Sequence, residues 1–468
     1  MLPARCQLYF RAMNLPPATA APVTTEARLA YVLRHFWLAY QPAPPVRIGY
    51  AADRPQVEVL EGAVDFFSGH EPYPAAPNFR AWQEQQVPFF FDAHPERPLL
   101  ELLPGRAVVS ADVVSAAFYL LSGWQEYFCA ERDQHGRFPY AASVQQRYGF
   151  VALPVVNYYF DVLRRAVEHV SGQALQPRRW AADAPFATFV THDIDNLYSA
   201  WKEPAKAALK RGNLLGFGRH LWQHLAQPDA WDNLEQVQQN VAAYGASSTF
   251  FFIPNYGRST EHGPYNADYR LHKLIPRVQT LAAKSEIGLH GSIGSARTPQ
   301  QLGAEAEAIG EALTDKGQRL GLRFHYLQWE PRVTPEHLTG LGALYDSTLG
   351  FAEHFGFRHS YCLPFRLFDF KHGQAFDFLE IPLNLMDATL HHPRYLRLAP
   401  AEIMPAIQPM LQEIERFGGV FTLLWHNENF DPANSANGPR EFHRIMEYLR
   451  GRGTAFLTGR AICAAVQE

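Results

Sequence analysis

The stretch that decides the fold is FATFVTHDID, residues 186–195. A short apolar run bounded by polar residues is typical of a buried strand in a parallel sheet. Asp193 and Asp195 stand two positions apart, so on an extended backbone both point to one face, with Ile194 on the other. Two carboxylates this close repel each other unless a cation lies between them or one takes up a proton. The stretch therefore predicts a buried strand that ends in a charged site.

Further apolar runs follow this one, and helical patterns separate them. The eight candidate strands are FATFVT (186–191), STFFFIP (248–254), EIGLH (286–290), RFHYL (323–327), LYDS (344–347), FLEIPLNLM (378–386), VFTLLW (420–425) and AFLTG (455–459). Repeated alternation of strand and helix indicates a parallel sheet, and the length suits a (β/α) barrel of ~250 residues better than an open sheet. We predict an α/β protein with a distorted (β/α) barrel of seven or eight parallel strands.

The pattern before residue 180 is different. Extended segments such as VEVLEG (57–62) are followed by two predicted helices, Ser110–Tyr127 and Pro154–Val170. This mixture predicts a smaller α+β domain ahead of the barrel. The segment SGQALQPRRWAADAP contains one Gly, two Pro and several small residues, which is typical of a linker. We therefore expect domains at residues 1–175 and 185–468.

Composition excludes several classes of protein. The 468 residues are 47% hydrophobic, 13% aromatic and 19% charged, which excludes a disordered or collagen-like chain. Lys and Arg number 42 against 46 Asp and Glu, a formal charge of −4. This balance gives no electrostatic reason to expect a nucleic acid or an anionic membrane surface as a partner.

Cysteine usage and hydropathy indicate the cellular compartment in which the protein is expected. Cys6, Cys129, Cys362 and Cys463 are widely scattered and form no C-x-x-C pair, so neither a disulfide framework nor a thiolate zinc site is expected. Charges and prolines interrupt the apolar N-terminal residues, so we expect no signal peptide. No window approaches the ~20 apolar residues of a transmembrane segment. A cytoplasmic protein is expected.

Polar residues stand where several apolar runs end, which is where (β/α) barrels place their catalytic groups. His290 ends the run EIGLH, His325 lies within RFHYL and His426 follows VFTLLW, as Asp193 and Asp195 follow the first run. A metal held by Asp195 and His290, with Asp193 left free as a base, would relieve the carboxylate repulsion and form a hydrolytic site. The alternative is an Asp-rich turn after a strand.

These residues also resemble a known family. THDID, IGLHGS, RFHY and LWHN are similar, in order, to the motifs of the polysaccharide deacetylases, carbohydrate esterase family 4 with the NodB-homology domain, over about residues 185–460. The resemblance implies the following roles: Asp193 as general base, Asp195 and His290 as metal ligands, Arg323 as the group that holds the base, His426 as general acid. With LSGWQEY (121–127), DQHGRFP (133–139) and PVVNYY (154–159) ahead of these motifs, the whole chain resembles a bacterial subfamily in which a domain of unknown function precedes the deacetylase domain.

One position departs from the family pattern. The family places a second metal histidine four residues after the first, and Gly294 stands there, followed by Ser295. Ser295, His325 or another histidine must then complete the metal shell, or metal affinity has fallen. His325 is the preferred replacement, because it stands at a strand end after the motif's Arg. A histidine packed among neighbouring aromatic rings is the alternative.

Three further residues or groups are candidates for substrate contact. Tyr326 matches the Tyr of the family's third motif, and Asp387 closes the run FLEIPLNLMD. Asp387 is expected to contact substrate or the active-site Arg, with a loop turn as the alternative. Asp133, His135 and Arg137 could line a sugar or partner surface, or belong to a loop pinned by hydrogen bonds.

We expect a metal-dependent hydrolase that removes acetyl groups from N-acetylated or O-acetylated sugar units, with a divalent ion, Zn²⁺ by preference, and a carbohydrate substrate. The alternative is a non-catalytic carbohydrate-binding or assembly protein that keeps the fold after losing the metal at Gly294. A glycoside hydrolase is disfavoured, because Asp193 and Asp195 on one strand are poorly placed on opposite sides of a glycosidic bond.

Overall fold

Residues 187–194 form a buried strand at the centre of a parallel sheet, as the opening stretch predicts. The structure is a computed structural model, and it describes residues 20–260, 263–313, 315–434 and 438–467. Cys6 and the N-terminal segment judged for a signal peptide lie outside the described residues, apart from residues 20–22 of that segment. Among the described helices, none is long and apolar enough to cross a bilayer.

The N-terminal region combines a mixed sheet with helices. Its strands are β1 (Tyr40–Gln41), β2 (Ile48–Gly49), β3 (Val57–Val59), β4 (Asn78–Trp82), β5 (Gln85–Phe89), β6 (Leu100–Leu103), β7 (Arg106–Val109) and β8 (Gln176–Pro177). Its helices are α1 (Thr25–Ala39), α2 (Val113–Leu121), α3 (Trp124–Phe128), α4 (Val144–Arg147) and α5 (Val155–Ser171). A four-stranded sheet runs in the order β2-β3-β7-β6, β4 pairs with β5 as a hairpin, and β1 pairs with β8.

The C-terminal region alternates strands and helices. Its strands are β9 (Ala187–Ile194), β10 (Thr249–Phe252), β11 (Glu286–Gly291), β12 (Gly321–Phe324), β13 (Tyr345–Asp346), β14 (Phe368–Asp369), β15 (Gln374–Ala375), β16 (Leu379–Glu380), β17 (Leu385–Met386), β18 (Val420–Leu424) and β19 (Ala455–Phe456). Its helices are α6 (Lys202–Lys210), α7 (Leu214–Ala226), α8 (Leu234–Ala242), α9 (Leu271–Ala282), α10 (Pro299–Glu311), α11 (Thr334–Leu341), α12 (Asp387–His391), α13 (Pro400–Arg416), α14 (Pro439–Gly451) and α15 (Gly459–Gln467).

Eight of these strands form one parallel row in the order β16-β13-β12-β11-β10-β9-β18-β17, and β19 pairs with the first residues of β9. The two end strands, β16 and β17, are consecutive in the chain. Five residues span at most ~18 Å, whereas eight strands laid flat would span ~34 Å. The row must therefore curl until its ends approach each other, which produces the distorted barrel expected from the sequence.

Several predicted elements have different bounds in the structure; RFHYL, for example, is a strand only to Phe324, and His325–Leu327 form a 3₁₀ turn. The helix predicted over Ser110–Tyr127 is two helices, α2 and α3, because Gly123 has a φ of +72° that ends the first. FLEIPLNLM divides into β16 and β17, since Pro382 between them has no N–H to continue a ladder. AFLTG contributes only β19, because α15 begins at Gly459.

Buried polar contacts fix the N-terminal region against the barrel. Arg358 donates two hydrogen bonds of 2.6 Å to the carboxylate of Glu126, and both side chains are buried. Tyr158 donates to Glu413 at 2.7 Å. One hydrophobic cluster also contains residues of both regions. These contacts bind α3 and α5 to the C-terminal region.

Candidate metal and catalytic site

Three side chains from β9, β11 and β12 converge at the C-terminal edge of the barrel. Asp195 follows β9, His290 lies in β11 and His325 follows β12. The Asp195 Oδ1 lies 3.4 Å from His290 Nε2 and 3.3 Å from His325 Nδ1, and the two nitrogens are 3.3 Å apart. These atoms form a nearly equilateral triangle, and the three residues are a possible metal site. The expected ligand set is thus brought together.

Backbone carbonyls fix the tautomer of each histidine. His290 Nδ1 lies 2.8 Å from the carbonyl oxygen of Arg323, and His325 Nε2 lies 3.2 Å from that of Tyr265. A carbonyl only accepts, so each of these nitrogens carries the proton that it donates. In neutral imidazoles, His290 Nε2 and His325 Nδ1 therefore present lone pairs. Three acceptor atoms then face one another without a proton between them.

This donor set fits a divalent cation. Asp195 Oδ1 is buried and has no hydrogen-bond partner among the described residues. Zinc ligands of the N and O type lie at ~2.0–2.1 Å in tetrahedral sites, which places neighbouring ligands ~3.3–3.4 Å apart. The triangle has these dimensions. Outer hydrogen bonds from each imidazole to a carbonyl are also the usual support of metal-binding histidines.

Gly294 does not occupy the place of a ligand. Its φ is +94°, in the left-handed region that favours glycine, and its N–H donates to Gln328. Ser295 is buried and donates its hydroxyl to the Ser292 carbonyl at 2.7 Å, away from the triangle. Of the replacements considered from the sequence, His325 is the one that points into the cluster. It also packs against the ring of Tyr326, so the aromatic environment anticipated for it is present as well.

Asp193 lies beside the triangle and is held by Arg323. The Arg323 Nη1 donates to Asp193 Oδ1 at 3.0 Å, and Asp193 Oδ2 lies 3.5 Å from His290 Nε2. Arg323 is completely buried, and its other donors bind the Thr191 hydroxyl and the Ser347 carbonyl and hydroxyl. The guanidinium is therefore immobilised, and it presents one carboxylate oxygen of Asp193 toward the cluster. Asp193 and Asp195 share one face, as their spacing predicts.

His426 approaches the cluster from the strand on the other side of β9. Its Nε2 lies 3.8 Å from Asp195 Oδ2, and its Nδ1 lies 2.8 Å from Asp387 Oδ1. Burial lowers the pKa of His426, but the Asp387 carboxylate outweighs this effect and raises that pKa well above its ordinary value. The imidazole can thus carry a proton on the nitrogen that faces the cluster.

The position of Asp387 corrects our expectation that it contacts substrate or the active-site Arg. Its side chain is fully buried, and it accepts hydrogen bonds from the His426 ring, the His426 backbone N–H and Asn429. Arg323 instead binds Asp193. Two of these hydrogen bonds hold His426 in its orientation. The sequence could not show this, because 39 residues separate the two.

Glu428 is a residue near the site that the sequence did not single out. It accepts a hydrogen bond from Asn196 at 2.6 Å. Burial, together with the negative charge of Asp195, raises the pKa of Glu428 to about 7. The sequence offers one signal for Glu428, since it stands two residues after His426 in LWHNENF.

The rim of the site combines both regions of the chain. Tyr326 is 37% exposed and has a φ of +57°, uncommon for a residue with a side chain. The ring of His135 stacks on it, with centroids 4.7 Å apart and planes 6° apart. Arg137 donates to the Tyr326 carbonyl at 3.1 Å and is held by Asp133. The Asp133–Arg137 loop is therefore pinned by hydrogen bonds, and it also reaches the site.

Comparison with known proteins identifies the N-terminal region most directly. A family of unknown function, DUF7033, matches residues 24–171. No curated protein matches the chain. The match covers the region that supplies the Asp133–Arg137 loop and ends before β9, so it assigns no activity to the barrel.

Several solved structures are similar to the chain. A Mycobacterium smegmatis protein assigned as a polysaccharide deacetylase has a TM-score of 0.42 and 16% identity, over 62% of this chain and 93% of that one. Puue allantoinase has a TM-score of 0.41 and 13% identity, over 62% and 93%. A Pseudomonas aeruginosa PAO1 protein, also assigned as a polysaccharide deacetylase, has a TM-score of 0.39 and 12% identity, over 61% and 92%.

Proposed function

We propose that the protein is a metal-dependent hydrolase that removes acetyl groups from acetylated amino sugars. The observation that carries this proposal is the triangle of Asp195, His290 and His325, in which three lone-pair atoms lie 3.3–3.4 Å apart. These residues would hold a divalent ion, Zn²⁺ by preference, since two imidazoles and one carboxylate are typical of catalytic zinc sites. When bound, such an ion supplies Lewis acidity toward a carbonyl oxygen and lowers the pKa of water.

Asp193 is placed to act as the general base. One of its oxygens is held by Arg323, and the other lies 3.5 Å from His290 Nε2 at the edge of the triangle. A water molecule attacking an acetyl carbonyl would give its proton to this second oxygen as the new C–O bond forms. Arg323 acts as a positioning residue, because it is buried and its other contacts are with the protein.

His426 is placed to act as the general acid. As the C–N bond breaks, the imidazole would give its Nε2 proton to the leaving nitrogen, so that acetate and a free amino sugar result. Asp387 positions the ring and stabilises its protonated form through the 2.8 Å contact with Nδ1. The arrangement supports amide hydrolysis, since a departing amine needs a proton.

The rim supports a saccharide as the substrate. Tyr326 and His135 form a stacked pair of rings at the site, and burial lowers the pKa of His135 to about 4, so that its ring is neutral at pH 7. Exposed aromatic surface beside polar groups is suited to packing against a sugar ring. We therefore propose that Tyr326 and His135 bind the sugar, and that the N-terminal domain, residues 1–175, supplies part of the substrate site to the barrel domain, residues 185–468.

The alternative of a non-catalytic binding protein depended on a lost ligand at Gly294. His325 fills the third corner of the triangle, which supports the enzyme over this alternative.

Metal analysis combined with acetate release tests the proposal. The purified full-length chain should contain about one equivalent of zinc or a similar ion, and it should release acetate from N-acetylated saccharides in a panel that also includes O-acetylated ones. Chelation should abolish release, and added Zn²⁺, Co²⁺ or Mn²⁺ should restore it. Stoichiometric metal with sugar binding but no acetate release across the panel would overturn the catalytic assignment. Acetate release that survives complete metal removal would overturn the metal dependence.

A further inference from the structure

An unusually long connection leaves the catalytic edge of the barrel. Between β9 and α8, the chain forms two helices, α6 and α7, that pack against each other as a hairpin. Connections of this kind normally take ~2–6 residues, whereas here about 40 residues separate Asp195 from Leu234. The α6–α7 hairpin is therefore an addition to the barrel, placed at its functional edge.

One face of α7 is apolar and uncovered. Its large side chains are strongly exposed: Leu214 70%, Leu215 90%, Leu221 37%, Trp222 63% and Leu225 76%. At ~100° per residue these five positions fall within one arc of the helix, while Phe217, His220 and His224 lie outside that arc and are half-buried. Contiguous exposed apolar surface on a soluble domain marks an interaction site.

Positive charge surrounds this apolar face. The two helices and the turn between them carry Lys202, Lys206, Lys210, Arg211 and Arg219 but only one carboxylate, Glu203, which pairs with Lys206. Lys210 and Arg211 lie at the tip of the hairpin, next to the exposed Leu209 and Leu214. The whole chain has a charge of −4, so the hairpin is a local cationic patch on an acidic protein.

The base of the hairpin is attached to the site itself. Asn427, the residue after His426, donates hydrogen bonds of 2.9 Å to the carbonyls of Asn196 and Trp231. Asn196 follows Asp195, and Trp231 lies just after α7. Asn233 in turn donates to the Asn427 carbonyl. Whatever the hairpin binds is therefore brought to the edge of the barrel where the catalytic groups lie.

We propose that the α6–α7 hairpin docks on the surface of an anionic lipid bilayer. Leu and Trp on one helix face with Lys and Arg around it is the pattern of helices that lie in a membrane interface, where basic residues bind anionic headgroups. The net charge of the whole chain gave no reason to expect an anionic membrane as a partner. The local concentration of Lys and Arg on the hairpin does give such a reason. A second copy of the chain fits less well, because a two-fold contact between two such hairpins would bring their positive charges together.

Docking on a bilayer also narrows the class of substrate to an acetylated saccharide carried on a lipid, and this part of the inference rests on the proposed function. Docking would hold the site at the depth of the headgroups, where the sugar of a lipid-linked saccharide lies.

Vesicle cosedimentation of the full-length protein tests the docking. Binding should be stronger to phosphatidylcholine vesicles containing phosphatidylglycerol than to phosphatidylcholine alone, and it should weaken at high salt. The double variant Leu215→Ser/Trp222→Ser should lower the partition coefficient at least about tenfold, and Lys210→Gln/Arg211→Gln should remove the preference for anionic lipid. The matched control, Val64→Ser/Leu102→Ser, replaces exposed apolar residues of the N-terminal region and should bind as wild type.

Two outcomes would overturn the docking surface: no binding to anionic vesicles, or equal binding by the L215S/W222S variant. A dimer in light scattering that this variant converts to a monomer would instead identify a second copy as the occupant.

Acetate release from a water-soluble acetylated saccharide tests the proposed function separately from the docking, because the hairpin variants should retain this activity. Absence of vesicle binding by the wild-type protein, with its soluble activity intact, contradicts the docking alone, and absence of soluble activity in the wild type contradicts the proposed function.

Discussion

The Nδ1 atom of His325 lies 3.3 Å from the Nε2 atom of His290, and neither nitrogen can donate a hydrogen bond to the other while both rings are neutral. Each ring already gives its proton to a backbone carbonyl, His290 to Arg323 and His325 to Tyr265. Two lone pairs and the Asp195 carboxylate oxygen are thus held together by contacts that the protein makes elsewhere. Such a pocket is organised for a cation before the cation arrives.

Replacement of His325 should weaken metal binding. We expect His325→Ala to weaken the affinity for Zn²⁺ by at least about tenfold, because it removes one of three ligand atoms. Isothermal titration of metal-free protein with Zn²⁺ measures the change. Ser295→Ala is the matched control and should bind as wild type, since the Ser295 hydroxyl bonds to Ser292 instead. Normal affinity in the His325 variant would remove it from the ligand set.

Replacement of Asp193 should separate metal binding from turnover. Asp193→Asn keeps the shape of the side chain but cannot accept the proton of water, so acetate release should fall by roughly 10²–10⁴. Metal content measured by mass spectrometry should stay near wild type, because Asp193 lies outside the triangle. If the variant loses its metal as well, Asp193 is a ligand, and a different base must be sought.

His426 should matter most for poor leaving groups. We expect His426→Ala to reduce hydrolysis of an N-acetyl substrate by roughly 10²–10⁴, with metal content unchanged. An activated acetyl ester should be affected much less, because its leaving oxygen needs little protonation. Asp387→Asn should act in the same direction but more weakly, since the ring remains while its charged partner is lost. Equal losses on amide and ester would contradict the general-acid role.

The stacked pair at the rim should affect substrate binding rather than chemistry. His135→Ala should raise the KM for a saccharide substrate several-fold and leave kcat nearly unchanged, because the residue touches Tyr326 and not the catalytic cluster. His135→Phe preserves a ring for stacking and should restore KM. A fall in kcat with constant KM would place the effect on the geometry of His325 and Tyr326 instead.

A buried acid pair should make stability depend on pH. Asp346 and Glu380 are register partners on β13 and β16, and burial raises both pKa values, that of Asp346 to about 6 from 3.8. As pH rises, the carboxyl groups ionise in the unfolded chain before they ionise in the folded protein. The stabilisation that the protonated pair gives the folded state is therefore fully present below pH ~4 and is lost as pH rises to about 6. The loss is on the order of 2–3 kcal/mol. Urea unfolding at several pH values measures it.

Glu380→Gln tests the cause of that dependence. The amide can still donate to Asp346 but cannot ionise, so the variant should lose less stability than wild type between pH 4 and 6. Glu336→Gln, at an exposed carboxylate, is the control and should follow wild type. The comparison between curves isolates the pair from the buried histidines, whose lowered pKa values act with the opposite sign. Parallel wild-type and Glu380 variant curves would show that the pair does not titrate in this range.

The sequence by itself determined the barrel and the strand ends that carry polar residues. Apolar runs such as FATFVT and VFTLLW are local patterns, and a residue that directly follows a strand has its place fixed by that strand. Asp193, Asp195, His290 and His426 could therefore be assigned to one edge before any coordinates were known. His325 was open from the sequence, because Gly294 left several ways to complete the cluster.

Only the tertiary structure decided how these groups are held. The tautomers of His290 and His325 depend on the carbonyls of Arg323 and Tyr265, and Asp387 lies behind His426 rather than facing substrate. His135 stacks on Tyr326 although 191 positions of sequence separate them, because His135 belongs to the N-terminal region and Tyr326 to the barrel. The physical reason is the same in each case: local periodicity fixes the direction of a side chain along its own strand, but its partners come from elements that meet only when the barrel curls and the N-terminal region packs against it.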